Sequence, residues 1–144
     1  MKKRRYGREI ALKALYQQDT SGRPLDEILE NTFAGENVTP DIKDFSKILS
    51  KGTLDHLTDI DTLLSRFATH WKINRMAVID RNILRIALYE LTYQTDTPAK
   101  VIINEAVEIA KKYGDEKSYQ FINGILDSAA KDIRKTSSIP PVTV

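Results

Sequence analysis

The stretch from Asp80 to Asp127 decides the fold, because it is the most apolar part of the chain and its apolar residues recur at helical spacing. Residues 80–91 read DRNILRIALYEL, residues 101–111 read VIINEAVEIAK, and residues 121–127 read FINGILD. Apolar side chains cover much of the circumference of the first segment, which predicts a central helix over 76–93. Further helices are predicted over 99–113 and 116–134, with Thr97-Pro98 between the first two and Gly114 as a left-handed cap on the second.

Polar residues interrupt these apolar segments. Arg85, Asn104 and Asn123 are predicted to be buried, hydrogen-bonded groups that fix how the three helices pack. Gly124 costs about 1 kcal/mol relative to alanine inside a helix, and a close approach between helices is its simplest explanation. The stretch is therefore predicted to be the frame of the molecule.

The first half of the chain predicts four more helices. The first covers about 5–19, the second follows Pro24, the third follows Thr39-Pro40 with a bend or break at 52–55, and the fourth ends near Phe67. No strand pattern is convincing, so the chain is predicted to be all-α. The expected organisation is an N-terminal helical subdomain of about 1–68, a C-terminal one of about 74–135, and a disordered tail at 136–144. Trp71 is predicted to pack over the join.

Composition excludes several classes of function. The 144 residues include no cysteine and two histidines, and no metal-ligand spacing is present, so no metal site is expected. We also find no glycine-rich phosphate loop and no nucleophile elbow, which predicts no catalytic residue and no cofactor. The basic start lacks the apolar run of a signal peptide, and no window approaches about 20 apolar residues. A soluble, cytoplasmic protein without a membrane segment is expected.

The charge is concentrated at the start of the chain, where Lys2, Lys3, Arg4, Arg5 and Arg8 lie within eight residues. A solubilising end is one interpretation. The other is RNA binding, in which the three arginines contact phosphates and the two lysines strengthen the field.

Aromatic residues support the second interpretation. Stacking on single-stranded bases contributes about 1–3 kcal/mol per base. Tyr6 and Tyr16 lie near the basic residues, and a second group could meet them in space. That second group interleaves aromatic and basic residues: Lys111, Lys112, Tyr113, Lys117, Tyr119 and Phe121. Core packing is the alternative, and it is the better one for Phe121.

These motifs together resemble a known family. The motifs are Arg8-Glu9, residues 14–17 (ALYQ) and 84–91, Pro98, residues 103–106 (INEA), Ala110-Lys111 and residues 121–127. Together they closely resemble the bacterial NusB family over about 2–134. The resemblance implies a seven-helix fold of two perpendicular bundles. It also implies binding of boxA in nascent RNA together with ribosomal protein NusE. That complex joins RNA polymerase with other Nus factors, suppresses Rho-dependent termination and aids ribosomal RNA transcription.

The resemblance also implies sites. Family RNA contacts carry over to Arg4, Arg5, Arg8, Tyr16, Tyr113, Lys117, Tyr119 and Phe121. The NusE-facing surface carries over to Asp80, with Arg75 and Arg81 as neighbouring candidates. Some relatives have an acid where this chain has Lys117, and a cation there is expected to raise RNA affinity and reduce dependence on NusE. Some relatives form homodimers, and the sequence leaves this open.

Two alternatives stand beside this interpretation. The same helical domain occurs at the N-terminus of a ribosomal RNA cytosine methyltransferase, although this sequence has no glycine-rich cofactor loop. A pure protein-interaction scaffold is the other, and it predicts no retention of RNA even with NusE present.

Overall fold

The computed structural model describes residues 2–137, which hold seven α-helices, one short 3-10 helix and no strand. In chain order they are α1 (Lys2–Ser21), α2 (Leu25–Gly35), α3 (Pro40–Asp55), α4 (Leu57–Phe67), the 3-10 helix (Ile73–Arg75), α5 (Val78–Tyr93), α6 (Ala99–Tyr113) and α7 (Ser118–Ser137). The predicted all-α class and helix number are confirmed. The predicted disordered tail begins too early, since α7 includes residues 136 and 137, and its remainder, 138–144, lies outside the described residues.

Local sequence signals set several helix boundaries. Pro40 opens α3 after Thr39, and Asp41 lies in its first turn, where the helix dipole favours a negative charge. The prediction for the end of α6 is wrong, because Gly114 has an extended backbone (φ −93°, ψ −177°). The left-handed glycine is Gly22 (φ 75°), whose N–H donates to the carbonyl of Gln18 at the end of α1.

Helix α5 is the centre of the core, as its apolar circumference predicted. It packs against α1, α3, α4, α6 and α7. Leu84, Leu88 and Leu91 are fully buried along it. Burying each such side chain contributes about 1.5–3 kcal/mol, so the other helices are held chiefly by this contact surface.

Gly52 lets α3 approach α5 closely. The Tyr89 ring of α5 occupies the space that a side chain at position 52 would need. The predicted break at 52–55 is placed one residue too early, because α3 continues through Gly52 to Asp55 and α4 begins after His56. The glycine serves packing between helices rather than a turn.

Arg85 is the satisfied polar group that was predicted. Its Nε and Nη2 each donate to the Asp61 carboxylate at 2.9 Å, and its Nη1 donates to Asp19 at 3.1 Å. Burial acts to raise the pKa of Asp19, but hydrogen bonds from Arg81 and Asn82 outweigh it, so the pKa lies below its usual value. This network joins α1, α4 and α5.

The corresponding predictions for Asn104, Asn123 and Gly124 are wrong. All three are exposed, and nothing lies within 4 Å of a Cβ added at Gly124. Ile102, Ile103 and Ala106 form part of the buried face of α6, and Asn104 lies beside that face rather than within it. Asn104 and Asn123 therefore line the surface between α6 and α7, and Gly124 is an exposed residue of α7 outside the core.

Candidate nucleic-acid interface

The basic end of α1, which we define as Lys3, Arg4 and Arg5, presents cations on the surface. Lys3 and Arg4 are exposed, and neither forms an ion pair with a residue in 2–137. The Arg4 guanidinium lies 4.2 Å from the centroid of the Phe45 ring, which restricts its motion while its charge stays in solvent. Such a cation can bind a phosphate at low ordering cost. Lys2 is the first residue of α1, and its side chain lies outside the described part of the structure.

Arg5 is shared between the surface and an ion pair. Its Nε and Nη2 donate to the two carboxylate oxygens of Glu105 at 2.8 and 2.9 Å, yet the Arg5 side chain is 40% exposed. The hydrogen bond to Glu105 raises the Arg5 pKa, and the same bond lowers the pKa of Glu105. Arg5 is thus oriented by α6, with part of its guanidinium still open to a ligand.

Arg8 does not lie on this surface, which corrects its predicted role. It is 5% exposed, and its Nε and Nη2 donate to the Glu90 carboxylate at 2.9 and 2.8 Å. Glu90 is 2% exposed, so this is a buried ion pair between α1 and α5. A direct phosphate contact would leave Glu90 buried without its cation. Sequence reasoning overlooked Glu90, although a carboxylate inside an apolar run is a signal for a buried partner.

Helix α1 contacts the C-terminal end of α6, as the RNA-binding interpretation required. The Tyr113 hydroxyl donates to Glu9 Oε1 at 2.8 Å, and Lys112 Nζ donates to the same oxygen at 3.0 Å. Lys13 of α1 lies 5.7 Å from the Tyr113 ring centroid. Tyr16 is exposed one turn further along α1. Cations and aromatic rings from both segments therefore form one surface.

The remaining aromatic residues continue this surface onto α7. Lys111 Nζ lies 5.2 Å from the Tyr119 ring centroid, and Lys117 is exposed without an ion pair in the described chain. Phe121 is half-buried and meets Trp71 edge to face at 4.9 Å. The aromatic junction, defined as Tyr113, Lys117, Tyr119 and Phe121, thus combines rings with nearby cations. Trp71 is 57% exposed, so it is a surface residue rather than the predicted packing anchor.

A groove of about 250 Å³ holds most residues predicted to face the protein partner. It is lined by Trp71, Arg75, Met76, Ala77, Asp80, Asp115, Lys117, Ser118 and Phe121. Asp80 Oδ2 accepts a hydrogen bond from Ser118 at 3.1 Å, while the buried Oδ1 has no partner within residues 2–137. Burial raises the Asp80 pKa. A donor from a bound molecule would satisfy Oδ1 and stabilise the ionised form.

The α6–α7 loop sets the position of Lys117 beside this groove. Asp115 Oδ1 accepts from the backbone N–H groups of Lys117 and Ser118 at 3.0 and 3.1 Å. The hydrogen bond from the Lys117 N–H is the largest effect that lowers the Asp115 pKa. Residues predicted for RNA and for the protein partner are consequently neighbours around a single loop.

Arg81 is a second correction. Its Nε and Nη2 donate to the two carboxylate oxygens of Asp19 at 2.9 and 3.0 Å, and its side chain is 16% exposed. Both donors are engaged in the network that joins α1 to α5. Arg81 therefore stabilises the fold, and of the predicted partner-facing residues Asp80 and the exposed Arg75 line the groove.

The fold and this surface define a small all-helical protein with a mixed basic and aromatic face. A family model described as the NusB family matches residues 5–131, and the chain belongs to that family. It is 42% identical to the transcription antitermination protein NusB of Myxococcus xanthus (strain DK1622), covering 92% of this chain and 97% of the relative. The NusB of Bacillus subtilis (strain 168) is 40% identical, with 93% and 99% covered.

Solved structures agree with this membership. T. maritima NusB has a TM-score of 0.84 at 42% identity and covers 90% of this chain, with 91% of its own chain matched. A chain in the crystal structure of antitermination factors NusB and NusE in complex with dsRNA has a TM-score of 0.84 at 28% identity, with coverages of 92% and 98%. The seven helices are therefore arranged as in NusB.

Proposed function

We propose that this chain is a non-enzymatic, cytoplasmic RNA-binding antitermination factor. With ribosomal protein NusE it binds boxA of nascent ribosomal RNA, joins RNA polymerase with other Nus factors and suppresses Rho-dependent termination. The relatives named transcription antitermination protein NusB support this function, since they are matched over 97% and 99% of their length. The likeness to NusB in a complex with NusE and dsRNA supports both partners.

The observation that carries the proposal is the difference between the arginines that are engaged and the cations that remain on the surface. Arg8 and Arg81 are buried or half-buried in ion pairs and serve the fold. Lys3, Arg4 and Lys117 are exposed and form no ion pair within residues 2–137. Arg4 lies against the Phe45 ring, Lys3 lines the same pocket, and Lys117 belongs to the aromatic junction. Phosphates and bases can be bound together on such surfaces.

NusE is proposed to dock at the groove beside Asp80. Its contact would supply a hydrogen-bond donor to Asp80 Oδ1 and apolar atoms between Trp71 and Phe121. Lys117 lines the same groove, so RNA and NusE would meet there. This proximity supports cooperative binding, because a partner that binds the 114–117 loop also positions Lys117.

The test is a titration of fluorescently labelled boxA RNA with the chain, with and without NusE. Replacing Lys3, Arg4 and Arg5 by alanine is expected to weaken binding and reduce the slope of log K against log salt by about one per lost phosphate contact. Arg23→Ala is the control for the loss of an exposed cation, because Arg23 lies beyond the opposite end of α1, where it pairs with Glu27. Equal affinity and slope for the triple variant and the control would refute this RNA surface.

A further inference from the structure

A second groove lies between α6 and α7 and has a volume of about 680 Å³. We call it the α6–α7 groove and define it by five polar residues that line it: Lys100, Asn104, Asn123, Asp127 and Lys131. Its floor is apolar, since Ile103 and Ala130 are buried there. The groove thus offers an apolar base with donors and acceptors above it.

Five polar side chains that line this groove have no partner within residues 2–137, unlike their neighbours on the same helices. Arg134, which also lines the groove, donates to the backbone carbonyls of Leu91, Gln94 and Thr97. Glu105 pairs with Arg5, Lys112 pairs with Glu9, and Asp132 pairs with Arg66. By contrast, none of the five groove residues forms an ion pair or a side-chain hydrogen bond within residues 2–137. Neither helix packing nor surface pairing accounts for these residues.

One end of the groove lies one helical turn from the aromatic junction, since Asn123 lines the groove and Tyr119 precedes it by four residues on α7. Residues 119 and 123 lie one turn apart on α7 and share a face, and the row continues through 127 and 131, turning about 40° around the helix at each step. Residues 100, 104 and 111 lie along the facing side of α6, and Lys111 meets Tyr119 at 5.2 Å. From residue 119 to residue 131 the helix rises about 18 Å. A strand that stacks on Tyr119 can therefore continue along the groove.

We propose that the α6–α7 groove binds unpaired bases of the RNA strand that continues from the aromatic junction. This inference rests on the proposed RNA binding. Lys100 and Lys131 lie at the rim and contact phosphates. The carboxamides of Asn104 and Asn123 each offer a donor and an acceptor to base edges.

Asp127 decides the orientation of the strand. Its carboxylate repels phosphates from the middle of the groove and accepts hydrogen bonds from base amino groups, as on cytosine. Bases therefore face inward, onto the apolar floor at Ile103 and Ala130, and phosphates face outward. A protein segment with acidic flanks is the competing occupant that the experiment must separate.

The experiment compares two RNAs: a labelled boxA oligonucleotide, and the same oligonucleotide extended at its 5′ or 3′ end with unpaired nucleotides. The Asn104→Ala/Asn123→Ala protein is expected to bind the extended RNA about tenfold more weakly, while its affinity for the short RNA stays unchanged. Lys100→Ala/Lys131→Ala should lower the salt slope for the extended RNA by about two. Asn31→Ala, at an exposed asparagine of α2, is the matched control.

The outcomes separate this inference from the proposed function. If the groove variants bind the extended RNA as the control does, while the Lys3/Arg4/Arg5 variant is weakened, the inference is wrong and the proposed function stands. If the groove variants bind both RNAs normally but no longer retain NusE, the groove is a protein-docking surface and the inference is again overturned. If the unmodified chain with NusE binds neither RNA, the proposed function itself fails. Unfolding curves that match the control verify that each variant is folded.

Discussion

Replacing Arg8 by alanine is predicted to destabilise the fold strongly. Glu90, which accepts two hydrogen bonds from Arg8, is 2% exposed and would be left as a buried carboxylate without its cation. Breaking a buried pair from one side costs about 3–5 kcal/mol. A domain of ordinary stability unfolds with about 5–15 kcal/mol, so the loss is a large share of the total. Urea unfolding followed by circular dichroism measures it.

Two further variants isolate the cause of that loss. Arg4→Ala removes an exposed cation whose contact with the Phe45 ring contributes about 0.5–1 kcal/mol. The unfolding free energy of this variant should therefore fall by no more than about 1 kcal/mol. Replacing both Arg8 and Glu90 by apolar residues of similar volume should restore most of the stability, because no unpaired charge remains. If Arg8→Ala unfolds like the unmodified chain and weakens RNA binding as much as Arg4→Ala, the structural role of Arg8 is refuted.

Three further substitutions test separate parts of the structure. Gly124→Ala should raise the unfolding free energy by about 1 kcal/mol, because the added methyl meets nothing within 4 Å; a loss in urea unfolding would contradict this. Burial raises the Asp80 pKa, so wild-type stability is full below the ordinary aspartate pKa and falls as pH rises through the folded value. Asp80→Asn should therefore be the more stable protein at neutral pH and equal to wild type in acid, and thermal unfolding across pH checks both. Lys117→Glu should weaken boxA binding in fluorescence anisotropy, whereas unchanged affinity would remove Lys117 from the RNA surface.

Helices whose signals are local could be predicted from the sequence. Helix α6 has the predicted bounds, since Pro98 precedes it and its apolar residues repeat at helical spacing. The exposure of Asn104 was also within reach, because Ile102, Ile103 and Ala106 already mark the buried side of that helix. The error came from counting apolar neighbours along the chain instead of placing each residue on the helix circumference.

The candidate site was harder to predict, because its errors depend on remote partners. Arg8 and Glu90 are separated by 82 positions, and Arg81 and Asp19 by 62. An arginine paired in this way has the same sequence signature as one that binds phosphate. Only the packing of α1 on α5 distinguishes Arg8 from Arg4.

The proposal that this chain binds boxA RNA together with NusE is tested most directly by gel filtration. The chain, NusE and boxA RNA are run alone, in pairs and together. The proposal predicts one ternary species that elutes ahead of every binary mixture, and its loss when Lys3, Arg4 and Arg5 are replaced by alanine. RNA that elutes alone in the three-component mixture, under moderate salt, would contradict it.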